Sequence, residues 1–443
     1  MPSPARAIAA EVLTRVERDG AYANVALEAA LAGVTGLDPR DAALASELVH
    51  GTLRRQLSLD AAIERDSERP MAQLEVELRP LLRMGAYQLV YLDRVPAWAA
   101  VHETVELCKT RGLARAAGFT NAVLRRLART PTVPLPDDAL RRLSVQESHP
   151  LWLVKRWVDR LGLSQATALC HANNQPAPLC LRVNVRRASQ STLLAKLREA
   201  HPEAHVEPGQ FALDAISLLG AGAPTRLPGH AEGLFQVQDE AAQLIGRLLS
   251  PSEAAATLDV CAAPGGKSCH LAEQGAQVLA MDVAPLKLRR VQAEAARLGL
   301  SVCCVSADAR APLPVADRSR AFVLVDAPCS GLGTLRRHPE LRYRRQPEDL
   351  ARLAGLQWEI LERAAAAVAV GGVLVFAVCS SEPEEGLVHR DRLLSRFPDF
   401  QAEAAPPLGA AKARELVSDD GAFASTPHLH GLDGFTAFRV RRH

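Results

Sequence analysis

The sequence predicts a multidomain protein: an all-α N-terminal domain over 1–135, a small α+β middle module over 145–235, and a C-terminal α/β domain over 236–443. Three observations predict it. Residues 1–130 repeat apolar side chains at spacings of three and four, with no alternating stretch. The segment 131–138, PTVPLPDD, breaks that rhythm with three prolines and reads as a linker. From about 236, short apolar runs alternate with helical ones.

In the N-terminal domain, Ile8, Val12, Leu13 and Val16 form one helical stripe, and Leu81, Leu82, Tyr87, Leu89 and Val90 another. In the middle module Leu181-Arg182-Val183-Asn184-Val185 alternates like a strand, 191–200 is helical, and 205–214 is strand-like again. In the last domain apolar strands end at Leu258–Val260, Val278–Met281, Val302–Val305, Phe322–Val325 and Val373–Val378. Helices lie between them at Leu286–Leu298 and Asp349–Val370. This alternation builds a doubly wound, mostly parallel sheet, in which ligands bind at the carboxyl ends of the strands.

Composition bounds the function. A chain of 443 residues with 48% hydrophobic side chains can fill two or three cores. Charged residues at 23% without long single-sign runs exclude a mostly disordered chain. The formal charge is only +2, from 52 basic and 50 acidic side chains, so any nucleic-acid surface must be local. Six of the basic residues are lysine, which leaves 46 arginines. The nine cysteines are scattered without a Cys-x-x-Cys pair, which argues against a disulfide framework and a zinc site, so no metal is expected. The start is charged and helix-like, and the longest apolar run, 364–379, is interrupted by Gly371 and Gly372. These features lead us to expect a soluble, cytoplasmic protein, monomeric and without a membrane partner.

The chemistry is concentrated at the strand ends. After the first strand comes Asp259-Val260-Cys261-Ala262-Ala263-Pro264-Gly265-Gly266-Lys267-Ser268, where small residues let a ligand approach the backbone before a helix begins. A phosphate-binding P-loop would need glycine where Cys261 stands, and the dinucleotide fingerprint needs G-x-G-x-x-G, so both fail. A nucleoside cofactor without a pyrophosphate remains, such as S-adenosylmethionine; the bland alternative is an ordinary glycine turn. Asp282 ends the next strand, where a carboxylate can accept both ribose hydroxyls, and Asp308 follows the third, within reach of an adenine amino group. Singly each aspartate could cap a helix; in series they favour the nucleoside.

The fourth strand runs into Asp326-Ala327-Pro328-Cys329-Ser330-Gly331, and the strand at 373–378 into Cys379-Ser380. One such cysteine is usually a small buried hydrophobe. Two beside a cofactor pocket suggest thiol chemistry. A thiol that adds to C6 of a pyrimidine makes C5 nucleophilic, and a nearby acid can hydrogen-bond or protonate the ring nitrogen. Asp326, Cys329 and Cys379 supply suitable groups, without the spacing saying which cysteine attacks.

DVCAAPGGKS (259–268), VDAPCSGLGTLRRHPELRYRR (325–345), the CSxxPEE run at 379–385 and DGF (433–435) together resemble RNA cytosine-5 methyltransferases of the Sun/NOP2 group. LVHGTLRRQLSLD (48–60), LRMGAYQLVYLDRVPAWAAVHETVEL (82–107) and GFTNAVLRRLAR (118–129) are similar to the NusB-like helical RNA-binding domain. The resemblance covers nearly the whole chain and is weakest at 145–225 and 400–425. It implies a Rossmann-like, class I S-adenosylmethionine-dependent methyltransferase domain behind a NusB-like domain, with small-subunit ribosomal RNA as partner. It implies that the cofactor lies against Cys261 through Lys267, with Asp282 at the ribose, Asp308 at the adenine and Asp326 as a third acid. It implies that Cys379 is the nucleophile and that Cys329 assists proton removal and product release. The family commonly has Thr before the nucleophile; Val378 stands there, which removes one hydroxyl.

For RNA, NAVLRRLAR places Arg125, Arg126 and Arg129 opposite Val123, Leu124 and Leu127. Arg182, Arg186 and Arg187 cluster in the middle module, and RRHPELRYRR (336–345), beginning with Arg336 and Arg337, holds five arginines. Each cluster alone reads as a solvated face; beside a base-modifying site they are expected to form a phosphate track. Aromatic residues are only 4% of the chain, which leaves Phe235, Tyr343 and Phe435 as stacking platforms. Three other readings stand beside the leading one. They are the same chemistry on tRNA or another rRNA site, a DNA cytosine-5 methyltransferase, and an RNA-binding antitermination factor with a silent methyltransferase body.

Overall fold

The computed structural model describes residues 3–443. The chain forms two compact units, one of residues up to Pro176 together with Leu335–Arg345, the other of Ala177–Thr334 and Gln346–His443.

The first unit is helical. The expected stripes are buried: Ile8, Val12, Leu13 and Val16 on the helix Pro4–Asp19, and Leu81, Leu82 and Tyr87 on Leu78–Tyr91. Local signals set the ends; Asp38 caps Pro39–Arg54 by accepting from the Arg40 amide at 2.7 Å, with proline in the first turn. The proline segment at 131–138 is irregular and leads into a further helix, Ala139–Gln146, capped by Asp138. Residues 145–176, expected at the start of the middle module, group with this unit by their contacts. Leu153, Val154 and Trp157 before the kink at Gly162 (φ 79°), and Ala166, Leu169 and Cys170 after it, are buried at helical spacing within Leu151–Asn174.

The segment Leu335–Arg345 also belongs to this unit, and Arg342 is its anchor. The guanidinium is fully buried and donates to Asn174 Oδ1 (2.8 Å) and to the carbonyls of Ser148 and Asn173 (3.2 and 3.3 Å). The Ala23 amide donates to Glu340 at 3.1 Å, and Arg344 donates to the carbonyl of Ala21 at 2.6 Å.

The second unit begins with a four-stranded antiparallel sheet of β1 (Leu179–Val183), β2 (His205–Pro208), β3 (Ala215–Leu219) and β4 (Phe235–Val237), in the order β2-β3-β1-β4. The helix Gln190–Ala200 packs on it, Leu193 and Leu197 meeting Leu181, Val183 and Ile216. An eight-stranded sheet follows. Its strands are β5 (Ala256–Val260), β6 (Gln277–Asp282), β7 (Val302–Ser306), β8 (Arg320–Asp326), β9 (Val368–Val378), β10 (Phe400–Ala402), β11 (Ala422–Ser425) and β12 (Phe435–Arg442). The order is β10-β12-β9-β8-β5-β6-β7, with β11 paired to β12. The neighbours from β7 to β9 are parallel, as expected from the strand–helix alternation, and the pairs made by β12 are antiparallel. The three strands after β9 were not expected. The chain order reverses between β5 and β8, the switch point where such sheets open a crevice at the strand ends.

Candidate active site

Three neighbouring strands, β5, β8 and β9, deliver the site. The turn after β5 carries the cofactor motif. Cys261 takes a left-handed backbone (φ 62°), and Gly265 follows at φ 103°, immediately before the helix Gly266–Glu273. A Cβ on Gly265 would come 3.0 Å from Val291, so neither that angle nor that space suits another residue. Burial and the surrounding carboxylates, Asp282 first among them, push the Cys261 thiol far up, so it stays inert. Asp282, at the end of β6, accepts from the amides of Ala263 (3.2 Å) and Ala284 (2.9 Å), which fixes its carboxylate beside the turn. Asp308 is gripped by Arg310 through Nε (3.0 Å) and Nη2 (2.6 Å), and these hydrogen bonds hold its carboxyl down at about 2.

Lys267 points from the first turn of its helix to Asp326 at the end of β8, with Nζ 2.7 Å from Oδ2. Burial works against the ammonium, but the Asp326 carboxylate outweighs it, so the lysine stays charged. Its Nζ also lies 5.2 Å from the centre of the Phe435 ring. Beneath this pair Asp259 is wholly buried, accepting from Ser268 Oγ at 2.5 Å, and burial pushes its carboxyl up to about 7.

The two cysteines meet because β8 and β9 are parallel neighbours, with Asp326 opposite Ala377. Cys329 Sγ and Cys379 Sγ are 3.3 Å apart, and both residues are half-buried. The Cys379 turn is pinned from behind, since the Gly333 amide donates to the Cys379 carbonyl (3.0 Å) and the Gly434 amide to the Gly333 carbonyl (2.7 Å). A Cβ on Gly333 would fall 1.9 Å from the Gly434 carbonyl oxygen. The sequence reading missed this interlock, although both glycines lie in quoted motifs. It also missed Glu385 and Gln357, which hold the turn around Cys329. Of these, Glu385 was legible as the last residue of CSxxPEE, whereas Gln357 carried no signal of its own in a long helix.

The expected RNA contacts divide. Arg125, Arg126 and Arg129 are exposed opposite the buried Val123, Leu124 and Leu127, with Arg126 lightly paired to Glu68 at 3.5 Å. Arg186 and Arg187 are exposed, but each donates to backbone carbonyls, Arg186 to that of Glu273 at 2.8 Å. Arg182 must be corrected: it is 1% exposed, paired to Glu273 at 3.3 Å and bonded to the Gly266 carbonyl at 2.9 Å. Arg336 must be corrected likewise, since it is buried and donates to the Pro176 carbonyl, and Arg337 is half-buried. No phosphate can reach a guanidinium already spent on internal acceptors. The stacking platforms fail for the same reason: Phe235 and Phe435 are buried, and the Tyr343 hydroxyl is turned inward to Ser148.

Among the described residues no cluster suited to a metal ion occurs, and no helix is long and apolar enough to cross a membrane.

Each part of the chain is similar to known proteins. The family described as 16S rRNA methyltransferase RsmB/F matches residues 246–440, the NusB family matches 3–129, and an RsmF/B-like ferredoxin-like domain matches 149–224. The chain is similar to the probable ribosomal RNA small subunit methyltransferase B of Bacillus subtilis (strain 168), at 35% identity over 99% of this chain and 98% of that one. It is 38% identical to ribosomal RNA small subunit methyltransferase B of Pseudomonas putida, over 97% and 96% of the two chains. Its fold also matches the crystal structure of NSun6 from Pyrococcus horikoshii with SFG, at TM-score 0.58 and 19% identity over 67% of this chain and 99% of that one.

Proposed function

The chain belongs to the RsmB/F family of 16S rRNA methyltransferases, and from that premise we propose that it methylates C5 of one cytosine in small-subunit ribosomal RNA through a covalent bond between Cys379 and C6 of the base. The observation that carries this reading is the pair of sulfurs 3.3 Å apart at the ends of β8 and β9, beside the Lys267–Asp326 ion pair. S-adenosylmethionine supplies the methyl group when bound. The residues present fit it: Cys261 through Lys267 offer a close backbone approach, and Asp282 presents a fixed carboxylate suited to a ribose diol. Asp308 is the adenine-side acid of the same row, and it must exchange its Arg310 partner to serve.

The chain's own groups divide the remaining work. The Cys379 thiolate forms the bond to C6, and the ring electrons move toward the ring nitrogen, which takes a proton from the Asp326 carboxyl; Asp326 must carry that proton in the substrate complex and loosen its Lys267 partner to do so. C5 is then nucleophilic and takes the methyl group. Loss of the C5 proton re-forms the C5–C6 double bond and expels the Cys379 sulfur, with Cys329, in contact with that sulfur, assisting the release. Lys267 holds the Asp326 carboxylate in place. The exposed Arg125, Arg126 and Arg129 suit phosphate oxygens, with Arg337 half-buried. The middle module, 145–235 by sequence, is assigned to RNA recognition. The target base must leave its stack to reach the sulfur.

Two variants test the mechanism. Cys379→Ala is expected to abolish methyl transfer while cofactor binding persists, and surviving activity would overturn the nucleophile assignment. Cys329→Ala is expected to accumulate a denaturant-resistant protein–RNA adduct on a gel, and its absence would remove the release role. Bisulfite mapping of RNA from cells lacking the protein identifies the base, and a lost mark on tRNA would move the substrate.

A further inference from the structure

Two half-buried thiols in contact need a neighbour that makes them unequal, and the carboxylate of Glu385 is placed to do so. Glu385 ends the short turn Pro383–Glu385 that follows the Cys379 loop, and it is fully buried. Among the described residues no cation pairs with it; its carboxylate accepts instead from the Ser330 amide (2.7 Å), Ser330 Oγ (2.5 Å) and Gln357 Nε2 (3.0 Å). Gln357 Nε2 also donates to the Pro328 carbonyl at 2.9 Å. Both residues flanking Cys329 are thus held by one carboxylate and the amide attached to it. Ser330 Oγ lies 3.3 Å from Ser380 Oγ, which ties the residue after Cys329 to the residue after Cys379. A buried carboxylate supported only by neutral donors is costly to keep, and it leaves a full negative charge next to the thiol turn.

We propose that Glu385 is the positioning residue of this site: its carboxylate clamps the Cys329 turn against Cys379 and gives the two sulfurs different tasks, one held as a hydrogen-bonding thiol and the other free to attack. The inference rests on the reading of Cys379 as nucleophile.

The charges around the pair agree with it. The hydrogen bond that the Cys329 thiol gives to Cys379, then burial, and then the charges of Cys379 and Glu385 push the Cys329 thiol well above the ordinary range. Through Gln357 the carboxylate faces His389, whose Nε2 is 3.0 Å from Gln357 Oε1. Burial, with Arg392 nearby, brings that imidazole down to about 4, so it is neutral and does not offset the carboxylate. On the Cys379 side Lys267 and Asp326 are matched to each other. Glu382, Glu384 and Asp433 are the other acids on the segments around the turn.

The test is site-resolved alkylation of the full-length protein by iodoacetamide as pH is raised, without RNA or cofactor, read by peptide mass mapping. In the parent, Cys379 is expected to react at lower pH than Cys329. In Glu385→Gln, which keeps one acceptor oxygen but removes the charge, the Cys329 profile should move down. A shift of one pH unit would raise its alkylation at fixed pH about tenfold. Glu385→Asp, which keeps the charge but shortens the reach, should retain the parent's order of reaction while methyl transfer falls. A Glu385→Gln profile that overlays the parent's overturns the proposal. So does a parent in which Cys329 reacts first, and that result needs no variant to fold. Because alkylation needs no substrate, an active Cys379→Ala variant would remove the nucleophile reading and leave the alkylation order to be judged by itself.

Discussion

Lys267 Nζ lies 2.7 Å from Asp326 Oδ2, so the first turn of the cofactor helix and the end of β8 are joined by one partly buried ion pair. Removing Asp326 leaves the buried Lys267 ammonium without compensation, at a cost of up to about 3 kcal/mol. Lys267→Met and Asp326→Asn are each expected to lower methyl transfer at least about 100-fold, with the double variant little worse than either single one. Single-turnover methyl transfer measured on all four proteins checks the coupling, and additive losses would show that the pair does not act as a unit.

Asp259 gives a pH dependence of stability. Its folded carboxyl titrates near 7 against an ordinary 3.8, so the folded state binds the proton more tightly. The stability this contributes is fully present below the ordinary value and is lost as pH rises through about 7, with a slope of up to about 1.4 kcal/mol per pH unit. Asp259→Asn, which still offers Ser268 an acceptor, is expected to flatten that fall and raise the melting temperature at pH 8. Thermal denaturation from pH 4 to 8 measures it.

Gly333→Ala inserts a methyl where the Gly434 carbonyl already sits. The clash must push apart the two backbones that fix the Cys379 turn, and a loss of about 1–3 kcal/mol in stability is expected. Methyl transfer should fall further than stability accounts for, because the same methyl also lies 2.9 Å from the Cys379 carbonyl oxygen, which accepts from the Gly333 amide. Activity assayed well below the variant's melting temperature separates the two effects.

Arg182 and Arg125 should respond in opposite ways. Arg182→Met strands the buried Glu273 and is expected to cost about 3–5 kcal/mol while leaving the salt dependence of RNA binding alone. The double variant Arg125→Ala, Arg129→Ala should leave the melting temperature unchanged and make log affinity against log salt shallower by up to about two units. Filter binding over a salt series, paired with melting curves, tells the two apart.

The parallel part of the sheet was legible because each strand is a compact apolar run bounded by turn residues, and the cofactor and cysteine motifs sit where those runs stop. β10, β11 and β12 escaped for a physical reason. β10 and β11 are short, and β12 interleaves Arg439, Arg441 and Arg442 with its apolar residues, so none reads as a hydrophobic strand. The arginines misled more seriously. In sequence a buried guanidinium looks like an exposed one, and Arg182, Arg336 and Arg342 differ from Arg125 only in the acceptors the fold brings to them. The Glu385 clamp is a third case: its partners Ser330 and Gln357 lie in distant segments, and only the closing of β8 beside β9 assembles them.

The helical unit borrows Leu335–Arg345 from far along the chain, and this sets an order on vectorial synthesis. When Pro176 has emerged from a ribosome, the Ala23 amide, the Ala21 carbonyl and Asn174 Oδ1 still await Glu340, Arg344 and Arg342. The cofactor turn, Asp326 and Cys329 are all translated before those partners arrive. The domain that begins first is thus finished late, and a fragment cut after Pro176 lacks its keystone.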